Sequence, residues 1–252
     1  MRPLWENLAD AYGNALKDCL TGKAHHYVIE REDGYISVGN LDHYFTPYEQ
    51  WGEIEQRMPE FVRGRVLDVG CGAGRHSLHL QNLGHEIMAI DKSPLAVQVA
   101  MHRGVKQAIA ISVDDFAKEF DLKVGPFDTI IMMGHNIGLL HNFLTAQKIL
   151  EYFGRIAPQG ARIIGTTRDV SDTQELCHLT YQEENLRRGR MRGQIRLRIR
   201  HEMFESEWLD YLFVSEKDLR KLIQDTCWRL ETTIYGESGF RGTSYLAVLC
   251  KE

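Results

Sequence analysis

The chain has 252 residues, 43% of them hydrophobic and 26% charged, with a formal net charge of −5. That composition suits one folded domain with a real core, or one domain with an attached lid. It excludes nucleic-acid binding through bulk charge, and no stretch approaches the ~20 apolar residues of a membrane helix. The longest apolar run, 130–140, is broken by His135 and Asn136. Cys19, Cys71, Cys177, Cys227 and Cys250 are scattered without a CxxC pair, so a reduced, cytoplasmic protein without structural metal is expected. Glu6, Asp10 and Asp18 leave the N-terminus without the basic-then-apolar pattern of a signal peptide.

Residues 1–60 stand apart from the alternating pattern of the remaining chain. Trp5, Leu8, Ala11, Tyr12 and Leu16 fall at helical spacing and predict a short amphipathic helix. Two β-prone runs, 27–30 and 35–38, flank Asp33-Gly34, which signals a hairpin. Tyr44, Phe45 and Trp51 then place aromatic groups just ahead of the core, either as a lid or as plain packing on its surface.

At 66–69 the run Val-Leu-Asp-Val leads straight into Gly70, Gly72 and Gly74, and Leu78, Leu80 and Leu83 come next at helix-like spacing. Glycines let a backbone approach a ligand where any Cβ would collide, and a helix N-terminus presents unpaired N–H groups. The third glycine comes one residue too early for the GxGxxG of dinucleotide binders. Asp68, Gly70, Cys71, Gly72, Gly74 and Arg75, in this order, resemble the first motif of the class I S-adenosylmethionine-dependent methyltransferases. The resemblance implies S-adenosyl-L-methionine as cofactor. It also implies a Rossmann-like α/β fold: a seven-stranded, mostly parallel sheet, helices on both faces, and the last strand antiparallel. Cys71 reads as a small side chain near the ligand rather than a reactive thiol. Arg75 reads as a partner for the methionine carboxylate or as a surface residue.

From Phe61 onward strand and helix signals alternate, which argues for a parallel sheet between helices. Strand one is 65–69. Strand two is 86–90 and ends at Asp91, with Lys92 beside it and Ser93-Pro94 suited to open a helix. Asp91 lies 17 residues past Gly74, near the spacing of a ribose-binding acid, and a carboxylate can fork onto vicinal hydroxyls. Asp91 and Lys92 are therefore placed at the cofactor. Strand three is 108–113. By the resemblance, an acid just past it accepts the adenine amino group and the next backbone N–H meets a ring nitrogen, which designates Asp114 and Asp115. A solvated acidic turn is the other reading there. Strand four, 127–133, opens into Gly134-His135-Asn136-Ile137-Gly138, where ligands of open α/β sheets sit. Strand five is 161–166, leaving Arg168 and Asp169 at its end. A helix at 214–224 and strands at 228–235 and 245–250 close the pattern. The expected organisation is a helix-and-hairpin extension at 1–60, then one methyltransferase domain at 61–252.

That domain carries an insertion at about 171–213, too long for an ordinary connection. It holds Arg187, Arg188, Arg190, Arg192, Arg196, Arg198 and Arg200. Over 194–200 arginines alternate with Ile195, Leu197 and Ile199, the period of a strand with one apolar and one guanidinium face. Residues 208–213 could pair with it as a hairpin. Arg196 and Arg198, with Arg168, then form an electropositive wall that selects an anionic acceptor. The alternative is an edge strand guarded by its charges, with Glu202, Glu205 and Glu207 close enough to neutralise them.

With this cofactor the reaction is an in-line displacement at a sulfonium methyl by a small-molecule acceptor, and the protein's main tasks are alignment and water exclusion. A base matters only where the nucleophile must lose a proton. His135 is the candidate, pocket lining is its competing role, and His141 comes second. Tyr44, Phe45, Trp51, Asn136, His141, Arg168, Arg196 and Arg198 are expected around the acceptor. No Asn-Pro-Pro-Tyr-type motif and no Pro-Cys nucleophile occurs, so a nucleic-acid base is not the expected target. No membrane partner is expected, and nothing in the sequence speaks to oligomeric state. Three rivals stand beside this reading. A nicotinamide-dependent oxidoreductase lacks its GxGxxG and its hydride-handling site. The others are a non-catalytic protein that binds the cofactor or activates a partner, and an RNA or protein methyltransferase.

Overall fold

The computed structural model describes residues 9–119, 124–239 and 241–252, so Trp5 and Leu8 of the expected first helix lie outside the described residues. The rest of that helix is α1 (Ala11–Leu20), whose N-terminal Gly13 N–H donates to the Asp10 carboxylate at 2.9 Å. The same carboxylate accepts from Ser93 Oγ and Leu95 N, which pins α1 to a helix far along the chain. β1 (His26–Arg31) and β2 (Ile36–Asn40) form the expected hairpin, with Glu30 opposite Ile36. A single turn, α2 (Glu53–Gln56), leads to the core.

The core begins with β3 (Val66–Val69), buried throughout, followed by α3 (Arg75–Asn82) and β4 (Ile87–Asp91). Next come α4 (Pro94–His102), β5 (Ala108–Ala110), α5 (Val113–Glu119) and β6 (Thr129–Met132). α6 (Phe143–Ile156) and β7 (Arg162–Asp169) complete the alternation. After α7 (Leu176–Arg187), β8 (Gln194–His201), β9 (Phe204–Glu205) and β10 (Leu209–Leu212), the chain returns to the core as α8 (Glu216–Ile223), β11 (Trp228–Gly239) and β12 (Gly242–Lys251).

The seven-stranded sheet has the order β11-β12-β7-β6-β3-β4-β5. Its neighbours from β7 to β5 pair in parallel, as the alternating pattern predicts, and β12 runs antiparallel to both β7 and β11, as the family resemblance implies. Alternation along each strand divides the core in two. Leu67, Val69, Ile130, Met132 and Ile163 pack under α6 and α8, whereas Val66, Ile87, Ile131, Ile164 and Leu246 face the other way with Leu80. Trp51, Met58 and Val62 close that second face, so Trp51 is a core residue and not a lid. Its indole N–H is satisfied by the Thr46 carbonyl at 3.1 Å.

Three expected boundaries move. The third strand stops at Ala110, because Ser112 accepts from Asp115 N and donates to the Asp115 carboxylate, opening α5 at Val113, one residue before the expected acid. Local capping overrides the β-propensity of Ile111 and Val113. The fifth strand runs on through Arg168 and Asp169, held by β12, whose Thr243 stands opposite Asp169. The insertion is more than a hairpin. It begins with α7, and β8 is no edge strand: it lies between β10 and β1 in a second sheet of order β10-β8-β1-β2, with β9 also paired to β8. The N-terminal extension and the insertion thus build one layer.

Candidate active site

The turn after β3 is glycine by necessity. Gly70 and Gly72 have φ of 75° and 53°, a region costly for any residue with a Cβ. A Cβ on Gly70 would stand 2.4 Å from Asn136 Nδ2, and one on Gly72 2.7 Å from the Tyr12 hydroxyl. Asn136 donates to the carbonyls of Val69 and Gly70 at 3.1 and 2.7 Å, tying the loop after β6 to this turn. Gly74, also left-handed, is the N-cap of α3. Asp91, the last residue of β4, accepts from Gly72 N and from Ser93 N, each at 2.9 Å. Burial pushes its pKa up to about 6. Among the described residues no cation pairs with it, and of its four lone-pair positions two remain for hydroxyl donors. Lys92 points elsewhere, exposed and 3.8 Å from Glu207.

Two residues of the motif face inward. The Cys71 thiol packs among Ala89, Ala100 and Val105, with the Gly72 carbonyl at 3.8 Å, and burial pushes its pKa well up. Asp68 is buried and accepts from Ser77 Oγ at 2.6 Å, which fixes the start of α3. Burial pushes the Asp68 pKa up to about 7, Asp91 adding to the effect. A carboxyl raised in this way is protonated in the fold before it is in the unfolded chain, so its contribution to stability falls as pH rises from the unfolded to the folded value. Asp68→Asn removes the titration. Relative to the parent, the variant is expected to gain stability steadily between about pH 4 and about pH 7 in urea denaturation. A difference that stays constant across that range would mean Asp68 is ionised in the fold throughout.

The N-terminal extension covers the turn. Tyr12, Tyr27 and Tyr44 form an aromatic cluster, the hydroxyls of Tyr27 and Tyr44 lying 3.0 Å apart. Tyr44 reaches within 3.6 Å of where a Gly72 Cβ would be. Phe45 lies instead under the Arg103 guanidinium, which donates to the carbonyls of Tyr44 and Ala73. Arg75 is neither exposed nor open to a ligand carboxylate. It is buried and donates to Glu55 Oε1 at 2.6 Å, with His43 Nε2 and Thr46 Oγ1 at 2.8 and 3.3 Å. Burial by itself would raise the Glu55 pKa; His76 and Arg75 beside it more than reverse that and hold it at about 2.

His135 comes after β6 with a left-handed backbone (φ 67°) fixed on both sides, its N–H donating to Thr166 Oγ1 and its carbonyl accepting from Tyr211 OH, each at 2.7 Å. Its ring Nε2 lies 3.3 Å from Arg168 Nη2, which can only donate, so Nδ1 carries the proton. Nδ1 is buried without a well-formed hydrogen bond. Burial, then the Arg168 charge, lower the His135 pKa to about 4. The expected general base is therefore neutral here, its Nε2 already accepting from Arg168. His141 is engaged at both nitrogens, with the Asp210 carbonyl at 2.6 Å and Asp114 Oδ2 at 2.9 Å, and so joins α5 to β10. Asp114 consequently has one oxygen committed, and the Asp115 N–H is taken by Ser112. A Cβ on Gly134 would meet nothing within 4 Å, which leaves open space beside this loop.

A cavity of about 140 Å³ lies between the second sheet, α7 and the end of β7. Ile29, Arg31, Arg168, Arg192, Ile195, Leu197, Phe213 and Arg241 are among its walls. β8 offers it the apolar side of its alternation. Arg196 is exposed on the other side, and Arg198 there is paired with Glu30 at 2.9 Å and Glu205 at 3.2 Å. Of the three arginines expected to form a wall, only Arg168 lines the cavity. Arg31 and Arg241 had no motif to mark them, being brought in by the sheet and by the turn between β11 and β12.

Residues 66–160 match the family model of a methyltransferase domain. A ubiquinone biosynthesis O-methyltransferase of Xanthomonas oryzae pv. oryzae is 39% identical over 113 residues, 43% of this chain and 44% of that one. A magnesium-protoporphyrin O-methyltransferase of Rhodobacter capsulatus is 32% identical over 81 residues, 31% of this chain and 35% of that one. The chain spans less than half the length of these curated relatives. A solved structure, the SAM-dependent methyltransferase from Bacteroides fragilis in complex with S-adenosyl-L-homocysteine, shares the fold with a TM-score of 0.79. That likeness covers 96% of this chain and 95% of the other at 23% identity. No helix among the described residues is long and apolar enough to cross a membrane.

Proposed function

We propose that the chain is an S-adenosyl-L-methionine-dependent methyltransferase acting on a small-molecule acceptor. The observation that carries this is Asp91: a buried carboxylate without a cation among the described residues, bonded to the glycine turn and keeping two acceptor positions, as the vicinal hydroxyls of a ribose require. The residues present fit the cofactor in chemistry: Asp91 keeps two acceptor positions beside the Gly72 backbone, and Gly134 faces open space next to His135, while Tyr12 and Asn136 stand against the glycines themselves. Bound there, the cofactor would supply an electrophilic sulfonium methyl. Gly72 and Asp91 would hold its sugar, the second oxygen of Asp114 would accept from the adenine amino group, and Tyr12 and Tyr44 would exclude water. With His135 held at a pKa of about 4 and His141 engaged at both nitrogens, neither is a ready base. That suits an acceptor whose nucleophile needs no proton removed before attack. The names of the two relatives, for ubiquinone biosynthesis and for magnesium-protoporphyrin, favour a small molecule over a macromolecule.

Calorimetry with S-adenosylhomocysteine and with NAD is the test. Binding of S-adenosylhomocysteine and none of NAD is expected, and preference for NAD would end the proposal. Product assays over a panel of small acceptors test turnover, and tight binding without turnover on any of them would leave a cofactor-binding protein that is no enzyme.

A further inference from the structure

The cavity beside β7 is rich in positive charge. Four arginines line it, and no Asp or Glu among the described residues does. Arg31 is answered from outside by Asp33, through two contacts of 2.7 Å, and is held between Tyr35 and Tyr181. Among the described residues, Arg168 and Arg192 have neutral partners. Arg168 reaches Ser244 Oγ at 3.4 Å and His135 Nε2 at 3.3 Å, and Arg192 reaches Gln182 Oε1 at 3.2 Å. Burial and the neighbouring charge of Arg241 both push the Arg168 pKa down. A half-buried guanidinium with two long bonds to neutral groups has most of its five donors to spare, and the site gains when an anion takes them.

The remaining walls are apolar, chiefly Ile29, Ile195, Leu197 and Phe213. The volume is close to the roughly 150 Å³ that accommodates a benzene ring. Guanidinium forks match a carboxylate in two parallel hydrogen bonds, and an apolar wall rewards a dehydrated ring or branched chain next to it. We infer that this cavity binds the acceptor by its carboxylate: an apolar monocarboxylic acid of single-ring size, its headgroup on Arg168 and Arg192 and its body against Ile195, Leu197 and Phe213. Identifying this ligand as the methyl acceptor rests on the methyltransferase function proposed above: an ionised carboxylate oxygen would take the methyl, the sulfonium C–S bond breaking as the ester C–O bond forms and S-adenosylhomocysteine leaving. The connection runs through the loop after β6, where Arg168 meets His135 and the adjacent Asn136 bonds Gly70 of the glycine turn.

Benzoate, benzamide and phenyl phosphate, titrated by calorimetry against the full chain, separate charge from shape. S-adenosylhomocysteine is titrated in parallel. Benzoate is expected to bind at least about tenfold more tightly than benzamide, the scale of one charge-assisted hydrogen bond. Arg168→Gln and Arg192→Gln should each abolish most of that preference, and Arg192→Gln should leave S-adenosylhomocysteine affinity unchanged. Should Arg168→Gln not fold, Arg192→Gln carries the comparison. Equal binding of benzoate and benzamide, no binding of benzoate, a preference for phenyl phosphate, or a preference that survives in Arg192→Gln would each overturn the inference. If that happens while S-adenosylhomocysteine still binds, only the carboxylate site falls; loss of both removes the methyltransferase function too.

Discussion

Glu55→Ala is expected to lower stability by about 3–5 kcal/mol at neutral pH, because it leaves the buried Arg75 guanidinium without its anion. Arg75 Nη2 lies 2.6 Å from Glu55 Oε1, and both side chains are almost wholly enclosed. The sign with pH comes from the depressed carboxylate. Its folded pKa of about 2 lies below the unfolded value, so the contribution is complete above that unfolded value and is lost as pH falls toward 2. The gap between parent and variant in urea denaturation should therefore be widest at neutral pH and close in acid. Glu55→Gln keeps the shape and an acceptor oxygen, and it should recover part of the loss. A variant as stable as the parent at pH 7 would show that the ion pair does not hold the N-terminal segment to α3.

The second large effect concerns the cofactor. Asp91→Ala should weaken S-adenosylhomocysteine binding by about 1.5–3 kcal/mol, roughly tenfold to a hundredfold, the scale of a hydrogen bond to a charged group. The substitution also frees the N–H groups of Gly72 and Ser93, which the carboxylate now holds. Loss of affinity alone would thus be ambiguous between a missing contact and a loosened turn. Asp91→Asn resolves it, since its amide oxygen keeps one of those two N–H bonds while the charge is gone. If Asp91→Asn binds S-adenosylhomocysteine as the parent does, Asp91 does not hold the ligand.

The alternating core was legible because its signals are local. A buried parallel strand reads as a short apolar run, a helix start as Ser93-Pro94, and the turn after β3 as closely spaced glycines, each within about ten residues. Asp91 could be singled out for the same reason, as its distance from the turn is set by one strand–helix–strand unit. The end of β5 was misjudged because Ser112 caps a helix through a side-chain bond that competes with strand propensity. α7 gave no helical apolar stripe. Its buried face is Tyr181, Gln182 and Asn185, and the side-chain amides of Gln182 and Asn185 donate hydrogen bonds to the carbonyls of Val170, Arg192 and Gln194.

From the order of residues alone came the class of sheet, the place of the glycine turn and the acid across from it, since chain connectivity and side-chain period decide all three. Only the tertiary structure revealed that β1 and β8 are neighbours, that Arg198 and Arg200 of β8 are spent on Glu30 and Glu205, and that Arg31, Arg168, Arg192 and Arg241 meet in one cavity. It likewise turned Arg75 from a ligand contact into a clamp and His135 from a free base into an acceptor for Arg168. These outcomes depend on which distant segments are brought together, and on the burial and charge that each partner imposes. No local pattern encodes such a partner.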